Sequence, residues 1–255
     1  MQVEVRGKKL SVDKQGSGDA VVLLHGLGST LNVWEPQVRA LADRFTLVRY
    51  DLEGAGRSPF AGALSIEGWV QDLKAMLDAL GIVRARFVGH SLGTLILQHF
   101  AVTHPQAVEK LVFIGVNRAP PEARRQAIRD RVAKVRAEGI DAVVETVVKG
   151  GLSPHTLAEK PAVVALVREF LMRQPDEGYA RSCEAMAAAV AADVSGVTVP
   201  VLLIAGRDDN VSPLANSEGL AAELKSAQLR ILDQCGHWHP IEQPAAVSQA
   251  LREFL

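Results

Sequence analysis

The sequence predicts an α/β fold, in which helices cover both faces of a mostly parallel, twisted sheet and a helical cap is inserted after the sixth strand. Three observations support this prediction. Short runs of β-branched and aliphatic residues alternate with stretches of helical periodicity, the alternation stops after residue 115, and it resumes near residue 199. The 255 residues suit one large domain with a single core.

The strands are marked by runs of β-branched and aliphatic residues. In the first dozen residues the apolar positions alternate, at Val3 and Val5 and then at Leu10 and Val12, which predicts an antiparallel hairpin at the sheet edge. Six further strands are expected at Ala20–His25, Thr46–Asp51, Arg86–His90, Lys110–Gly115, Val199–Ala205 and Gln228–Leu232. Because helical segments separate them, neighbouring strands are expected to run parallel.

The helices are illustrated by the segment Ser65–Leu80, in which apolar residues recur at helical spacing until Gly81 marks the end. Between residues 118 and 195 no strand pattern appears, only helical periodicity interrupted by prolines and glycines. We therefore expect residues 118–195 to form a helical cap, or lid, and residues 1–117 and 196–255 to form the core domain.

Composition excludes several classes of function. The formal net charge of −1 provides no basic field for nucleic acid. No apolar run reaches the length of about 18 residues that a membrane span requires, and the first residues do not have the pattern of a secretory signal. The two cysteines are too few for a disulfide framework. A cytoplasmic location without a membrane partner is expected.

A candidate nucleophile lies in the segment Gly89–Gly93, which has the sequence GHSLG. It follows an apolar strand and precedes a helical pattern. In that context the G-x-S-x-G motif places Ser91 on a sharp turn, where small neighbours relieve crowding. The motif alone occurs often by chance, whereas the strand before it and the helix after it make a functional serine the better interpretation.

A serine hydroxyl needs a base to take its proton. Of the seven histidines, His237 and His239 follow the last predicted strand, at the edge of the sheet where the base belongs. We expect His237 to be the base and keep His239 as the alternative. The orienting acid should lie between serine and histidine in sequence, and the turn after Ala205 offers Asp208 and Asp209. We expect one of them to orient the histidine and the other to shape the turn.

Two backbone N–H groups are expected to stabilise the negative charge that develops on an attacked carbonyl oxygen. The N–H of Leu92 follows the nucleophile directly. The second is assigned to Leu27, in the glycine-rich loop after the strand Ala20–His25. No segment has the third glycine that the dinucleotide-binding pattern G-x-G-x-x-G requires, so no cofactor is expected. No two histidines have the spacing of a zinc site, so no metal is expected.

Together these residues resemble the α/β-hydrolase superfamily, and the resemblance runs from about Val21 to Leu255 apart from the cap. The matching segments are His25-Gly26, Asp51–Ser58, Gly89–Gly93, Gly206–Pro213 and Gly236-His237 through Glu242-Gln243-Pro244. In the superfamily pattern the acid stands three residues after the loop glycine and four before its proline, which selects Asp209. The stretches Trp34–Val38 and Val48–Asp51 are similar to 3-oxoadipate enol-lactonases, small esterases and cofactor-free perhydrolases.

The resemblance implies a serine hydrolase with a Ser91, His237 and Asp209 triad that cleaves a small-molecule carboxylic ester through an acyl-enzyme. Hydrolysis of an enol-lactone is the alternative, and a ligand receptor of the same fold is a further one. The sequence leaves open whether the protein forms a homo-oligomer.

Trp34 and Trp238 are candidates for the substrate pocket, although core packing fits both equally well. Seven basic residues between Arg118 and Arg136 are expected mostly on a solvated helix face, opposite an apolar face of Ile128, Val132 and Val135. Basic residues of this segment that faced the active-site cleft would favour a substrate carrying a carboxylate.

Overall fold

The computed structural model describes residues 1–255. Its strands are β1 (Gln2–Val5), β2 (Lys8–Gln15), β3 (Ala20–Leu24), β4 (Thr46–Tyr50), β5 (Ala85–His90), β6 (Val108–Ile114), β7 (Val201–Gly206) and β8 (Ala227–Leu232). They form one eight-stranded sheet in the order β1-β2-β4-β3-β5-β6-β7-β8. β1 and β2 pair antiparallel, β2 pairs antiparallel with β4, and every other pairing is parallel. The predicted fold class and the edge hairpin are confirmed.

Eleven α-helices connect or follow these strands. They are α1 (Glu35–Leu41), α2 (Ile66–Ala79), α3 (Leu92–Thr103), α4 (Glu122–Glu138), α5 (Asp141–Gly151), α6 (Pro154–Glu159), α7 (Pro161–Met172), α8 (Asp176–Ala188), α9 (Leu214–Glu223), α10 (His239–Glu242) and α11 (Pro244–Phe254). The predicted helix after Ser65 is α2, and the Ser65 side chain accepts a hydrogen bond from the N–H of Gly68 at its start.

Five helices, α4 to α8, lie between β6 and β7 without an intervening strand. The helical insertion therefore follows the sixth strand, as the alternation of sequence patterns predicted. Three buried residues of α4 face the core, and they are the expected Ile128, Val132 and Val135. The division into a core domain of 1–117 and 196–255 and a cap of 118–195 stays a prediction.

The central strands are buried on both faces, as parallel strands between two helical layers must be. Val21, Val22, Leu23 and Leu24 of β3 are each 0% exposed. Since β3 to β8 run in the same direction, the loops that leave their carboxyl ends gather at one edge of the sheet. Such an edge is where open α/β sheets bind ligands.

No helix combines the length and the apolar character that crossing a bilayer requires. Cys183 and Cys235 are both buried and unpaired.

Candidate active site

Ser91 occupies a strained turn between β5 and α3. Its φ of 53° and ψ of −115° are unusual for a residue other than glycine. The two flanking glycines allow the close packing around it. A Cβ on Gly93 would lie 2.5 Å from the carbonyl oxygen of Leu24, and a Cβ on Gly89 would lie 2.7 Å from the backbone of Gly93. The GHSLG pattern therefore has a steric cause at both glycine positions.

Ser91, His237 and Asp209 form one continuous chain of hydrogen bonds. Nε2 of His237 lies 2.8 Å from Oγ of Ser91, and Nδ1 of His237 lies 2.9 Å from Oδ2 of Asp209. All three residues are buried. The loops after β5, β7 and β8 supply one residue each, so three segments far apart in sequence meet at the same sheet edge.

The two candidate aspartates differ in their contacts. Asp209 contacts His237, and its other oxygen, Oδ1, accepts hydrogen bonds from the N–H groups of Val211 at 2.8 Å and Ser212 at 2.7 Å. Asp208 is only half-buried. The expectation that the two residues would divide the orienting and turn-shaping contacts is wrong, because Asp209 makes both kinds of contact.

The surroundings of Asp209 stabilise its charged form. Burial alone would raise the pKa of this carboxyl group, but the charge and hydrogen bond of His237, together with His239 and the N–H of Ser212, outweigh it. The pKa is lowered to about 2. The group is therefore a carboxylate across the neutral range, and it favours the His237 tautomer that carries a proton on Nδ1.

Two further histidines hold the backbone of His237. Nε2 of His90 lies 2.7 Å from the carbonyl oxygen of His237, and Nδ1 of His239 lies 2.8 Å from the same atom. Burial lowers the pKa of both imidazoles, well below the ordinary value for His90. Each neutral ring therefore donates one N–H to this carbonyl. His239 makes no hydrogen bond to Ser91, so of the two candidate bases only His237 reaches the serine.

Glu242 fixes the loop that carries His237. Its buried carboxylate accepts hydrogen bonds from the N–H groups of Ser153 at 2.9 Å, Gly236 at 3.1 Å and Trp238 at 2.9 Å. The N–H of His237 donates to the carbonyl of Gly151 at 2.7 Å. Residues of the helical insertion thus contact the histidine loop directly. The sequence pattern Glu242-Gln243-Pro244 did not by itself indicate that Glu242 joins the two segments.

Glu242→Gln is expected to lower the free energy of unfolding by about 2 kcal/mol, since buried hydrogen bonds to a charged acceptor are lost. An amide offers one acceptor oxygen, and its NH₂ group would point at a backbone N–H. Urea denaturation measures the change. Glu253→Gln makes the same substitution at an exposed position and should leave the midpoint nearly unchanged. Equal midpoints for the two variants would contradict this assignment.

The loop after β3 runs directly against the nucleophile. A Cβ on Gly26 would lie 2.8 Å from Cβ of Ser91. The N–H of Leu27 makes no hydrogen bond to another backbone group, and Leu27 lies in the same cavity wall as Ser91. Leu92 is the first residue of α3, where an N–H has no partner within its own helix. Both groups predicted to stabilise the oxyanion are therefore free to donate.

A cavity of about 360 Å³ opens above Ser91 and His237. Trp238 lies in its wall and stacks on Phe170, with ring centroids 6.1 Å apart. Trp34 lies outside the wall. It is 0% exposed and packs edge-on against His90. The prediction that Trp34 lines the pocket is therefore wrong.

Asn117 is a cavity residue that the sequence analysis missed. Its Nδ2 lies 3.3 Å from Oγ of Ser91, and its backbone is fixed by Thr94 and Gln98 of α3. Asn117 follows the carboxyl end of β6 by three residues. A position at the carboxyl end of a parallel strand is the signal that selected the histidine loop, and it applies equally to the loop after β6.

Comparisons with known proteins agree with this architecture. A sequence model of the alpha/beta hydrolase fold matches residues 19–244. The chain is 30% identical over 243 residues to 3-oxoadipate enol-lactonase 2 of Acinetobacter baylyi, covering 94% of this chain and 90% of that protein. It is 32% identical over 248 residues to a Stutzerimonas stutzeri protein named "Putative carbamate hydrolase RutD", covering 92% and 91%.

Among solved structures, the enol-lactonase from Burkholderia xenovorans LB400 superposes with a TM-score of 0.95 and 29% sequence identity, covering 100% of this chain and 99% of that one. The family match, the relatives and the shared fold all extend over nearly the whole chain. The chain therefore belongs to the alpha/beta hydrolase fold family and is a hydrolytic enzyme.

Proposed function

We propose that this protein is a serine hydrolase that cleaves the carboxylic ester of a small molecule through an acyl-enzyme intermediate. The proposal depends above all on the hydrogen-bonded chain from Ser91 through His237 to Asp209, which ends in the cavity. The cavity volume of about 360 Å³ is near the lower end of the range for small-molecule sites, which supports a small substrate.

In the proposed reaction, His237 takes the Ser91 proton as Oγ attacks the ester carbonyl. Asp209 holds the imidazole in the correct tautomer and stabilises the imidazolium that forms. The N–H groups of Leu27 and Leu92 receive the developing oxyanion, and each donor contributes roughly 3 kcal/mol of transition-state stabilisation. His237 then gives this proton to the alcohol oxygen as the bond between that oxygen and the acyl carbon breaks, and the alcohol leaves. Water attacks the acyl-enzyme while His237 again acts as the base, and the bond between the acyl carbon and Oγ breaks as the proton returns to Ser91.

Hydrolysis of a cyclic ester is the second candidate. The enol-lactonases of Acinetobacter and Burkholderia favour it, because their similarity to this chain extends over nearly its full length. The same nucleophile, base and oxyanion donors serve a lactone carbonyl. Because the ester is cyclic, the hydroxyl group that forms when the ring opens belongs to the same molecule as the acyl group.

The substrate class is tested with the purified protein on a panel of short nitrophenyl esters, aromatic esters, dicarboxylic enol-lactones and simple carbamates. Turnover of esters or lactones is expected, and comparison of kcat/KM ranks the two candidates. Cleavage of carbamates alone would contradict the ester proposal. Tight binding with negligible turnover throughout would instead favour a ligand receptor with this fold.

A further inference from the structure

The cavity contains two arginines that have no acidic partner. Of the seven basic residues between Arg118 and Arg136, four are paired with surface carboxylates: Arg118 with Glu223, Arg129 with Glu122, Lys134 with Glu138, and Arg136 with Glu177 and Glu184. A fifth, Arg125, donates to the carbonyls of Ala187 and Ala189. The remaining two, Arg124 and Arg131, lie in the wall of the cavity that also contains Ser91.

Neither cavity arginine is neutralised within the protein. The hydrogen bond from Arg131 goes to the hydroxyl of Tyr179, at 3.5 Å. Burial, together with the like charge of Arg131, lowers the pKa of Arg124, while the charge of Asp209 acts in the opposite direction. The Asp209 carboxylate is already bonded to His237, Val211 and Ser212. Because arginine stays protonated in proteins, the cavity contains two cations without a dedicated counterion.

The positions of the two arginines suit one elongated ligand. Arg124, Ala127, Ile128 and Arg131 all line the cavity, and their spacing places them on one face of α4. Seven residues of helix correspond to about 10 Å along its axis. Ala127 and Ile128 lie between the two arginines along the helix, so this wall combines an apolar stretch with two cationic side chains. An unpaired, partly buried cation is costly, and a bound anion would remove that cost.

We propose that Arg124 and Arg131 form an anion-recognition subsite, and that the substrate is an ester or lactone carrying a free carboxylate on a short apolar chain. The proposal extends the function proposed for Ser91, His237 and Asp209 and rests on it. Guanidinium groups bind carboxylates through paired N–H donors, so the subsite would also fix the position of the reacting carbonyl over Ser91.

The kinetic test compares monomethyl adipate with its neutral amide analogue, methyl 5-carbamoylpentanoate. The wild-type protein is expected to prefer the anionic ester by about tenfold or more in kcat/KM, mainly through KM. In Arg124→Gln and Arg131→Gln this preference should fall towards one. Arg129→Gln removes an equal charge from the same helix outside the cavity and should keep the wild-type preference. A wild-type ratio near one, or a ratio that survives both cavity substitutions, would overturn the proposal.

A binding measurement separates this proposal from the proposed catalytic function. Calorimetric titration of the Ser91→Ala variant with adipate requires no turnover, and binding is expected to weaken about tenfold or more when either cavity arginine is also replaced by glutamine. Inorganic phosphate should bind more weakly than adipate, because it has no apolar chain to cover the apolar stretch of the wall. Phosphate binding as tight as adipate binding would overturn the carboxylate assignment, whereas retained ester turnover by Ser91→Ala would overturn only the catalytic assignment.

Discussion

Replacing Ser91 with alanine is expected to lower kcat for a short nitrophenyl ester by at least about 10⁴-fold. The substitution removes the atom that would form the acyl-enzyme, while His237, Asp209 and the two oxyanion donors stay in place. Loss of the hydroxyl therefore leaves only the modest catalysis that binding and oxyanion stabilisation provide. A stopped-flow or plate assay of nitrophenol release measures the change.

The Ser91→Ala variant should remain folded, because alanine and serine face the same steric restriction at the φ of 53°. Its circular dichroism spectrum and melting temperature are therefore expected to match those of the wild type. Ser195→Ala, at an exposed loop position, provides the matched control and should retain full turnover. Turnover by Ser91→Ala above about one per cent of the wild-type rate would contradict a nucleophilic role for this serine.

Replacing Asp209 with asparagine is expected to lower kcat by about 10³- to 10⁴-fold. The N–H groups of Val211 and Ser212 both donate to Oδ1 of Asp209, so the asparagine side chain must place its only oxygen there. Its NH₂ group then points at Nδ1 of His237. A donor at that position favours the tautomer with the proton on Nε2, which cannot accept the proton of Ser91.

Asp208→Asn makes the same chemical change at the neighbouring residue. Asp208 is half-buried and makes no hydrogen bond to His237, so kcat should stay within about twofold of the wild-type value. Both variants are assayed on one nitrophenyl ester, and thermal unfolding confirms that each is folded. A large loss in Asp208→Asn with little effect in Asp209→Asn would reverse the assignment of the orienting acid.

The elements around these residues could be read from the sequence because their causes are local. β3, β5 and β7 are short apolar runs, and the turn at Ser91 needs glycines at positions 89 and 93 whatever else surrounds it. The parallel direction of the strands then followed from the helices that separate successive strands. Parallel strands place their loops at one edge of the sheet, which is why the serine, acid and histidine loops could be expected to meet.

Other features were decided by contacts between segments far apart in sequence. Glu242 and Ser153 are 89 residues apart, so periodicity could not reveal their hydrogen bond. Trp34 was indistinguishable by sequence from a pocket residue, and only its packing against His90 assigns it to the core.

The sequence by itself determined the fold class, the turn at Ser91 and the chain order of the loops, since backbone sterics and hydrophobic periodicity act over a few residues. It also showed that the segment from Arg118 to Arg136 is basic. Which of its arginines face the cavity depends on the rotation of α4 as it packs against α8, with Arg125 bound to the carbonyls of Ala187 and Ala189 at the end of that helix. Tertiary packing alone fixes that rotation, and it places Arg124 and Arg131 in the cavity wall while the other arginines meet backbone carbonyls or surface carboxylates.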